Sequence, residues 1–114
     1  MIIDTHSHVN ADAFKGDFGE VIKRTLAQEV WMVNVGMNYE TSKQAVEIAS
    51  QYPEGVFASI GLHPTDAAAE FLGTKFEGET FDAEKYKALA LGNKKIVAVG
   101  ETGLDYYHKP KTTS

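Results

Sequence analysis

The feature that most constrains the fold of this 114-residue chain is the alternation of short apolar runs with longer amphipathic segments. Runs rich in β-branched residues are typical of strands, and four are present: Met1–Asp4, Val30–Gly36, Val56–Leu62 and Ile96–Gly100. The second run is apolar at odd and even positions alike, apart from Asn34. Strands buried on both faces have this pattern, and parallel sheets bury both faces.

The segments between these runs repeat apolar residues with the period of a helix. Asp17 is a predicted N-cap, Thr41 and Gln44 form a predicted capping box, and Asp82 is predicted to cap a third helix. Strands alternating with helices indicate βαβ units, and therefore an α/β fold with a parallel sheet and right-handed crossovers. A doubly wound sheet and half of a barrel both fit this order, and periodicity alone does not separate them.

The composition narrows the classes of function. The net charge is −5, from 11 basic and 16 acidic residues, whereas non-specific nucleic-acid binders usually have the opposite balance. Bulk charge therefore gives no support to DNA or RNA as a partner, although divalent cations in a site reverse the local sign. The chain has no cysteine, so a metal would be held by imidazole, carboxylate, carbonyl or water ligands.

The N-terminal sequence Met-Ile-Ile-Asp has no signal-peptide pattern, because it lacks a basic region and carries an acid at Asp4. No apolar run approaches the roughly 20 residues that a membrane helix needs. The absence of cysteine fits a reducing compartment. We therefore expect a soluble, cytoplasmic protein without a membrane partner.

The strongest local signal for chemistry is the sequence Asp-Thr-His-Ser-His at residues 4–8, where the first predicted strand ends. Side chains alternate along a strand, which predicts that Asp4, His6 and His8 point the same way. Two imidazoles on one face would converge on a single cation, and Asp4 would orient an imidazole or approach the metal. The alternative is a pair of histidines with purely structural hydrogen bonds, because short motifs recur by chance.

Two further signals stand at strand ends. Glu101 follows the fourth predicted strand between glycines that permit close backbone approach to a ligand, and a carboxylate there would bridge two cations. His63 follows the third strand, and Pro64 biases it toward an extended backbone. Taken alone, Glu101 also fits a polar loop and His63 a plain turn. Three of the four strands nevertheless place a histidine or an acid where α/β folds have their active sites, and this convergence favours a site.

Three motifs together resemble the TatD family of metal-dependent hydrolases, which are often described as deoxyribonucleases within the amidohydrolase-like superfamily. They are Asp-Thr-His-Ser-His near the N-terminus, Gly-Leu-His-Pro after the third strand and Val-Gly-Glu-Thr-Gly-Leu-Asp-Tyr after the fourth. The third motif is much more specific than the first, which many relatives share. The resemblance runs in the family's order from Met1 to about Tyr107.

The resemblance implies the N-terminal half, about four βα units, of a TIM-type (β/α)8 barrel with one or two divalent cations at its C-terminal mouth. Zn, Mn, Fe, Ni or Mg would be the metal. His6 and His8 look like ligands of one ion, and Glu101 looks like a carboxylate that bridges both ions. His63 and Asp105 match positions at the family's catalytic site, in substrate-binding or supporting roles.

Family members need about 250 residues to close the barrel, and they supply two further histidines and an aspartate from later strands. We therefore expect residues 1–114 to be a single partial domain, a fragment that is inactive alone. The resemblance implies that the intact parent hydrolyses ester bonds, with DNA phosphodiesters as substrate and metal-activated water as nucleophile. Two alternatives stay open: a hydrolase of another phosphoester or of an aminoacyl ester, and a non-catalytic, metal-binding half-barrel that self-associates through its sheet edges.

Overall fold

A computed structural model describes residues 1–9, 16–67 and 81–103. Its strands and helices alternate, and they are β1 (Ile2–Ser7), α1 (Phe18–Ala27), β2 (Val30–Val35), α2 (Tyr39–Ser50), β3 (Val56–Ile60), α3 (Pro64–Ala67), α4 (Ala83–Leu91) and β4 (Ile96–Val99). The four strands form one parallel sheet in the order β1-β2-β3-β4. The predicted α/β fold is confirmed, with the succession of parallel strands and helices found in the N-terminal part of a (β/α)8 barrel.

The central strands β2 and β3 form the buried part of the sheet. Met32 to Val35 are all buried, as the pattern of that run, apolar apart from Asn34, predicts. The outer strands differ, because Ile2 on β1 is 66% exposed and Val99 on β4 is 74% exposed. The sheet therefore has a solvent-excluded centre and two apolar edges that the described residues leave uncovered.

One face of the central strands packs against the helices. The hydrophobic core unites residues of β2 and β3 with residues of α1 and α2: Met32, Val56, Ala58, Ile60, Ile22, Ala45, Val46, Ile48 and Ala49. Asn34 is in register with Ala58, and it therefore lies on this helix-covered face. Side chains alternate along a strand, so Val33 and Val35 belong to the opposite face of the sheet.

Side-chain caps begin α2 and α4 but not α1, and one predicted cap is wrong. The predicted cap at Asp82 is confirmed, since its carboxylate accepts two backbone N–H groups of the first turn. Asp17 stands at the predicted N-cap of α1 but makes no capping hydrogen bond with its side chain. The box predicted to start at Thr41 is wrong, because Asn38 is the N-cap of α2 and Thr41 is the third residue of the helix, bonding back to it.

This shift gives α2 an additional N-terminal turn, which begins close to the end of β2. No helix in the described part of the chain combines the length and the apolar character needed to span a bilayer.

Candidate metal centre

His6, in β1, and His8, just after it, lie side by side at the carboxyl end of the sheet. The ring centroids of His6 and His8 are 4.9 Å apart and the ring planes are inclined by 80°. Asp4 does not orient either imidazole among the described contacts; its carboxylate accepts the backbone N–H of His6 at 3.1 Å. The predicted role of Asp4 toward an imidazole is therefore wrong, and the reason is an irregular register in β1 between Asp4 and Ser7.

Glu101, which follows β4, lies at the same end of the sheet as His6 and His8. Its Oε2 atom lies 3.3 Å from Nε2 of His6, and its Oε1 atom lies 3.1 Å from Nε2 of His63. The strands β1 and β4 are the two outer strands, three inter-strand steps apart, which is roughly 14 Å in a flat sheet. Side chains from both meet, so the sheet curls toward this end, as strands of a barrel do.

The hydrogen bond of His8 fixes which of its ring nitrogens is free. Nδ1 of His8 lies 3.0 Å from the carbonyl oxygen of Val35. A carbonyl only accepts, so Nδ1 carries the proton and Nε2 holds a lone pair. Metal-binding histidines are typically oriented in this way, by a backbone carbonyl on the other nitrogen.

His63 is held in the opposite tautomer. Its Nδ1 accepts the backbone N–H of Thr65 at 3.1 Å, and the hydroxyl of Thr65 lies 2.7 Å from the same nitrogen. A backbone N–H only donates, so the proton of His63 is on Nε2, where it is donated to Glu101. His63 therefore contacts the carboxylate as a donor, and its orientation is set by Thr65.

The arrangement has the chemistry of a cation site. One donor atom each from His6, His8 and Glu101 lies within 4.8 Å of the other two. Two imidazoles and a carboxylate suit Zn, Mn, Fe or Ni, whereas Mg prefers all-oxygen ligation. Nε2 of His6 lies 3.3 Å from Oε2 of Glu101, and a cation held by both would require Nε2 to be deprotonated. Asp105, the remaining predicted residue, lies outside the described residues.

Backbone contacts between strand ends hold Glu101 in place. The N–H of Gly100 donates to the carbonyl of Ile60 at 2.8 Å. A Cβ atom on Gly61 would lie 2.5 Å from the carbonyl oxygen of Gly100, so this approach of β3 to β4 requires a glycine at position 61. The buried hydroxyl of Ser42 accepts the N–H of Gly61 at 3.1 Å and lies 3.3 Å from its carbonyl oxygen.

Sequence reasoning missed three supporting residues. Thr65 follows His63 by two residues, a spacing at which a hydroxyl side chain reaches nearby groups. Asn34 was visible as the single polar residue in an apolar strand, and this was its signal. Ser42 gave none, because a serine near the start of a helix is usually solvated.

Known proteins with similar sequences are hydrolases by name. A family profile described as "TatD related DNase" matches residues 3–114. The chain is 37% identical over 108 residues to the "Uncharacterized metal-dependent hydrolase YabD" of Bacillus subtilis, which covers 94% of this chain and 38% of that protein. It is 33% identical over 106 residues to the "3'-5' ssDNA/RNA exonuclease TatD" of Cronobacter sakazakii, which covers 92% of this chain and 36% of that protein. The chain thus spans less than two fifths of the length of these relatives.

Proposed function

Because this chain belongs to the family of TatD-related DNases, we propose that the protein is a metal-dependent hydrolase that cleaves phosphodiester bonds in single-stranded nucleic acid. The observation that carries the proposal is the meeting of His6, His8 and Glu101, with donor atoms within 4.8 Å of one another. Relatives named as metal-dependent hydrolases and as ssDNA/RNA exonucleases support both the chemistry and the substrate class.

In this proposal the residues have separate tasks. His8, anchored through Nδ1, would present its Nε2 lone pair to the cation, and His6 and Glu101 would complete the protein's contribution from this chain. A bound divalent cation lowers the pKa of water and neutralises charge on phosphate oxygens. His63 would keep the carboxylate of Glu101 turned toward the cation by its hydrogen bond to Oε1.

We propose that turnover belongs to the whole protein and that the 114-residue chain alone binds the cation without hydrolysis. The resemblance in sequence implies further histidine and aspartate ligands from later strands, and this chain covers 38% of the length of a relative named as a metal-dependent hydrolase. His6, His8 and Glu101 supply three donors, which are enough to bind one cation with coordination positions left open. They are too few for a complete two-metal site.

The test is the release of labelled nucleotides from a 3′-labelled single-stranded DNA or RNA oligonucleotide by the whole protein, with Zn²⁺ or Mn²⁺ added. We expect Glu101→Gln to lower the rate by at least about 100-fold, because the variant would bind less well the cation that stabilises charge developing on the phosphate oxygens. Glu84→Gln, which changes an exposed acid in the first turn of α4, is the matched control. Equal rates for wild type and Glu101→Gln would overturn the proposal.

The substrate class is tested with the same preparation. Faster hydrolysis of a phosphomonoester or an aminoacyl ester than of the oligonucleotides would identify that ester as the substrate class. The barrel fold does not decide between them, because one fold hosts many activities.

A second candidate, from another class, is a non-catalytic metal-binding half-barrel that self-associates. The exposed apolar side chains on the outer strands favour it, with Ile2 66% and Val99 74% exposed, because unpaired sheet edges are templates for pairing with another chain. Sedimentation of the 114-residue chain tests it. A chain that is monomeric at all concentrations and unfolds cooperatively would contradict this candidate. The same result would not bear on the proposed hydrolase function.

A further inference from the structure

Strand β1 contains one residue more than its ladder with β2 uses. Asp4 pairs with Met32 and Ser7 pairs with Asn34, so three steps along β1 stand against two along β2. An extra residue of this kind is the mark of a β-bulge, which re-aims the side chains that follow it. Within the irregular segment the backbone N–H of His6 donates to Asp4, so this donor is satisfied locally.

The extra residue decides which face of the sheet His6 occupies. A ladder that continued in strict register from Asp4 opposite Met32 would place His6 opposite Asn34, on the helix-covered face. A shift of one residue moves every later side chain to the other face. With Ser7 opposite Asn34, the histidines on either side of Ser7 take the face away from the helices, from which His6 reaches its carboxylate partner.

Asn34 is the residue that holds this register. Its side chain is fully buried, and its Oδ1 atom accepts the hydroxyl of Ser7 at 2.7 Å and the backbone N–H of Val9 at 3.3 Å. These two donors flank His8 in the sequence. The Val9 N–H only donates, which identifies the accepting atom as the amide oxygen and assigns the orientation of the amide.

The nitrogen of the same amide, Nδ2 of Asn34, is buried and makes no hydrogen bond within the described part of the chain. A buried donor without a partner carries a desolvation penalty, and an aliphatic side chain would fill this place in an otherwise apolar strand without it. An asparagine here is explained by what its oxygen does and not by its contribution to the core.

We propose that Asn34 is a positioning residue of the metal site: it pins Ser7 and Val9 against β2, and so keeps the shifted register that presents both His6 and His8 to one cation. This inference rests on the proposed function, since it assumes that these histidines bind a metal. Asn34 touches neither histidine ring in the described contacts, and it acts through the backbone that carries them.

The experiment uses the 114-residue chain with Zn²⁺ as the probe, measured by competition with a chromogenic chelator. We expect Asn34→Leu, which keeps the size and removes the acceptor, to weaken Zn²⁺ binding by about 10-fold or more, as the loss of outer partners of metal ligands does. Ser7→Ala removes one of the two hydrogen bonds and should weaken binding by about 2- to 10-fold. Ser7→Thr keeps the hydroxyl and should bind Zn²⁺ with wild-type affinity.

The chain offers a matched control at the opposite end of the sheet. Ser50 and Asn93 form a second serine–asparagine side-chain hydrogen bond of 2.7 Å, the length of the Ser7–Asn34 bond. Ser50→Ala should leave Zn²⁺ affinity unchanged. Equal losses in Ser50→Ala and Ser7→Ala would mean that both act only through stability, and the proposal would be overturned.

A second measurement needs no metal. In the metal-free chain the rings of His6 and His8, with centroids 4.9 Å apart, should show a proton–proton NOE that Asn34→Leu and Ser7→Ala weaken and Ser50→Ala does not. If wild type shows this NOE but binds no Zn²⁺, the proposed function fails while the register is still tested. If Asn34→Leu does not fold, Ser7→Ala and Ser7→Thr decide. Unchanged affinity and an unchanged NOE in Ser7→Ala would overturn the role of Asn34.

Discussion

The centre and the edges of the sheet have different tasks. In β2 and β3 most side chains are buried, with Met32 and Ile60 each 2% exposed. In β1 and β4 most apolar side chains are exposed, yet the ends of these strands carry His6, His8 and Glu101 to the candidate site. Stability thus comes mainly from the strands that carry none of the candidate metal ligands. The chemistry depends on strands that the described residues cover poorly.

Substitutions of similar type at the centre and at the edge test this division most directly. Ile60→Ala removes a buried side chain from β3 and should lower the free energy of unfolding by about 2–5 kcal/mol. Val99→Ala in β4 removes exposed surface and should change it by about 0.5 kcal/mol or less. Urea titrations of both variants measure the difference. Comparable losses at the two positions would mean that the edges are covered in solution, for instance by a second copy of the chain.

Cation binding should stabilise the fold through the edge strands. Zn²⁺ at about 100 times its dissociation constant should raise the free energy of unfolding by about 2.7 kcal/mol, because it binds only the folded chain. The double variant His6→Ala/His8→Ala should lose this increase, since it lacks both imidazoles. Thermal melts with and without Zn²⁺, with EDTA as the reversal, are the measurement. An equal rise in the double variant would place the cation elsewhere.

The junction between centre and edge depends on a glycine. Gly61→Ala would bring a Cβ atom to 2.5 Å from the carbonyl oxygen of Gly100, and the clash should cost about 1–3 kcal/mol of stability and displace Glu101. Gly100→Ala is the matched control, because its Cβ atom would meet the hydroxyl of Ser59 at an ordinary 3.5 Å. Urea titration and Zn²⁺ affinity check both variants. If Gly100→Ala weakens binding more than Gly61→Ala, the close approach is not what positions Glu101.

A smaller effect is expected where a hydroxyl orients His63. Thr65→Val removes the hydroxyl 2.7 Å from Nδ1 and leaves the backbone N–H that also reaches this nitrogen. Zn²⁺ affinity should therefore fall by only about 2- to 10-fold, the range for one neutral hydrogen bond. Thr25→Val, which removes a hydroxyl bonded to Val21 within α1, should change nothing at the site. A tenfold loss in both variants would contradict a local role for Thr65.

Local sequence patterns predicted the parts of the fold that local interactions decide. The β-branched runs predicted four strands, and their alternation with helical periodicity predicted a parallel α/β sheet. Both follow from side-chain burial along the chain. The carboxyl-end positions of His6, His8 and Glu101 followed from the same logic, because the carboxyl ends of parallel strands lie at one edge of a sheet.

The parts that escaped prediction depend on contacts between strands. Simple alternation assumed that Asp4 faces the same way as His6, but the register of β1 against β2 shifts between Asp4 and Ser7. The curl that joins β1 to β4 is likewise a property of the whole sheet. The early start of α2 had a local cause, since Asn38 and Thr41 form the reciprocal box, and a threonine did there what glutamate or glutamine usually does.

The contact between Glu101 and His6 across the full width of the sheet would couple cation binding to the shape of the backbone. If both outer strands bind the cation as proposed, the ion would favour the more strongly bent sheet, and by reciprocity a sheet held bent would bind the cation more tightly. On the proposed function, anything that flattens β2 and β3 would therefore weaken cation binding even when every ligand is intact. The affinity for Zn²⁺ would then report the curvature of the sheet.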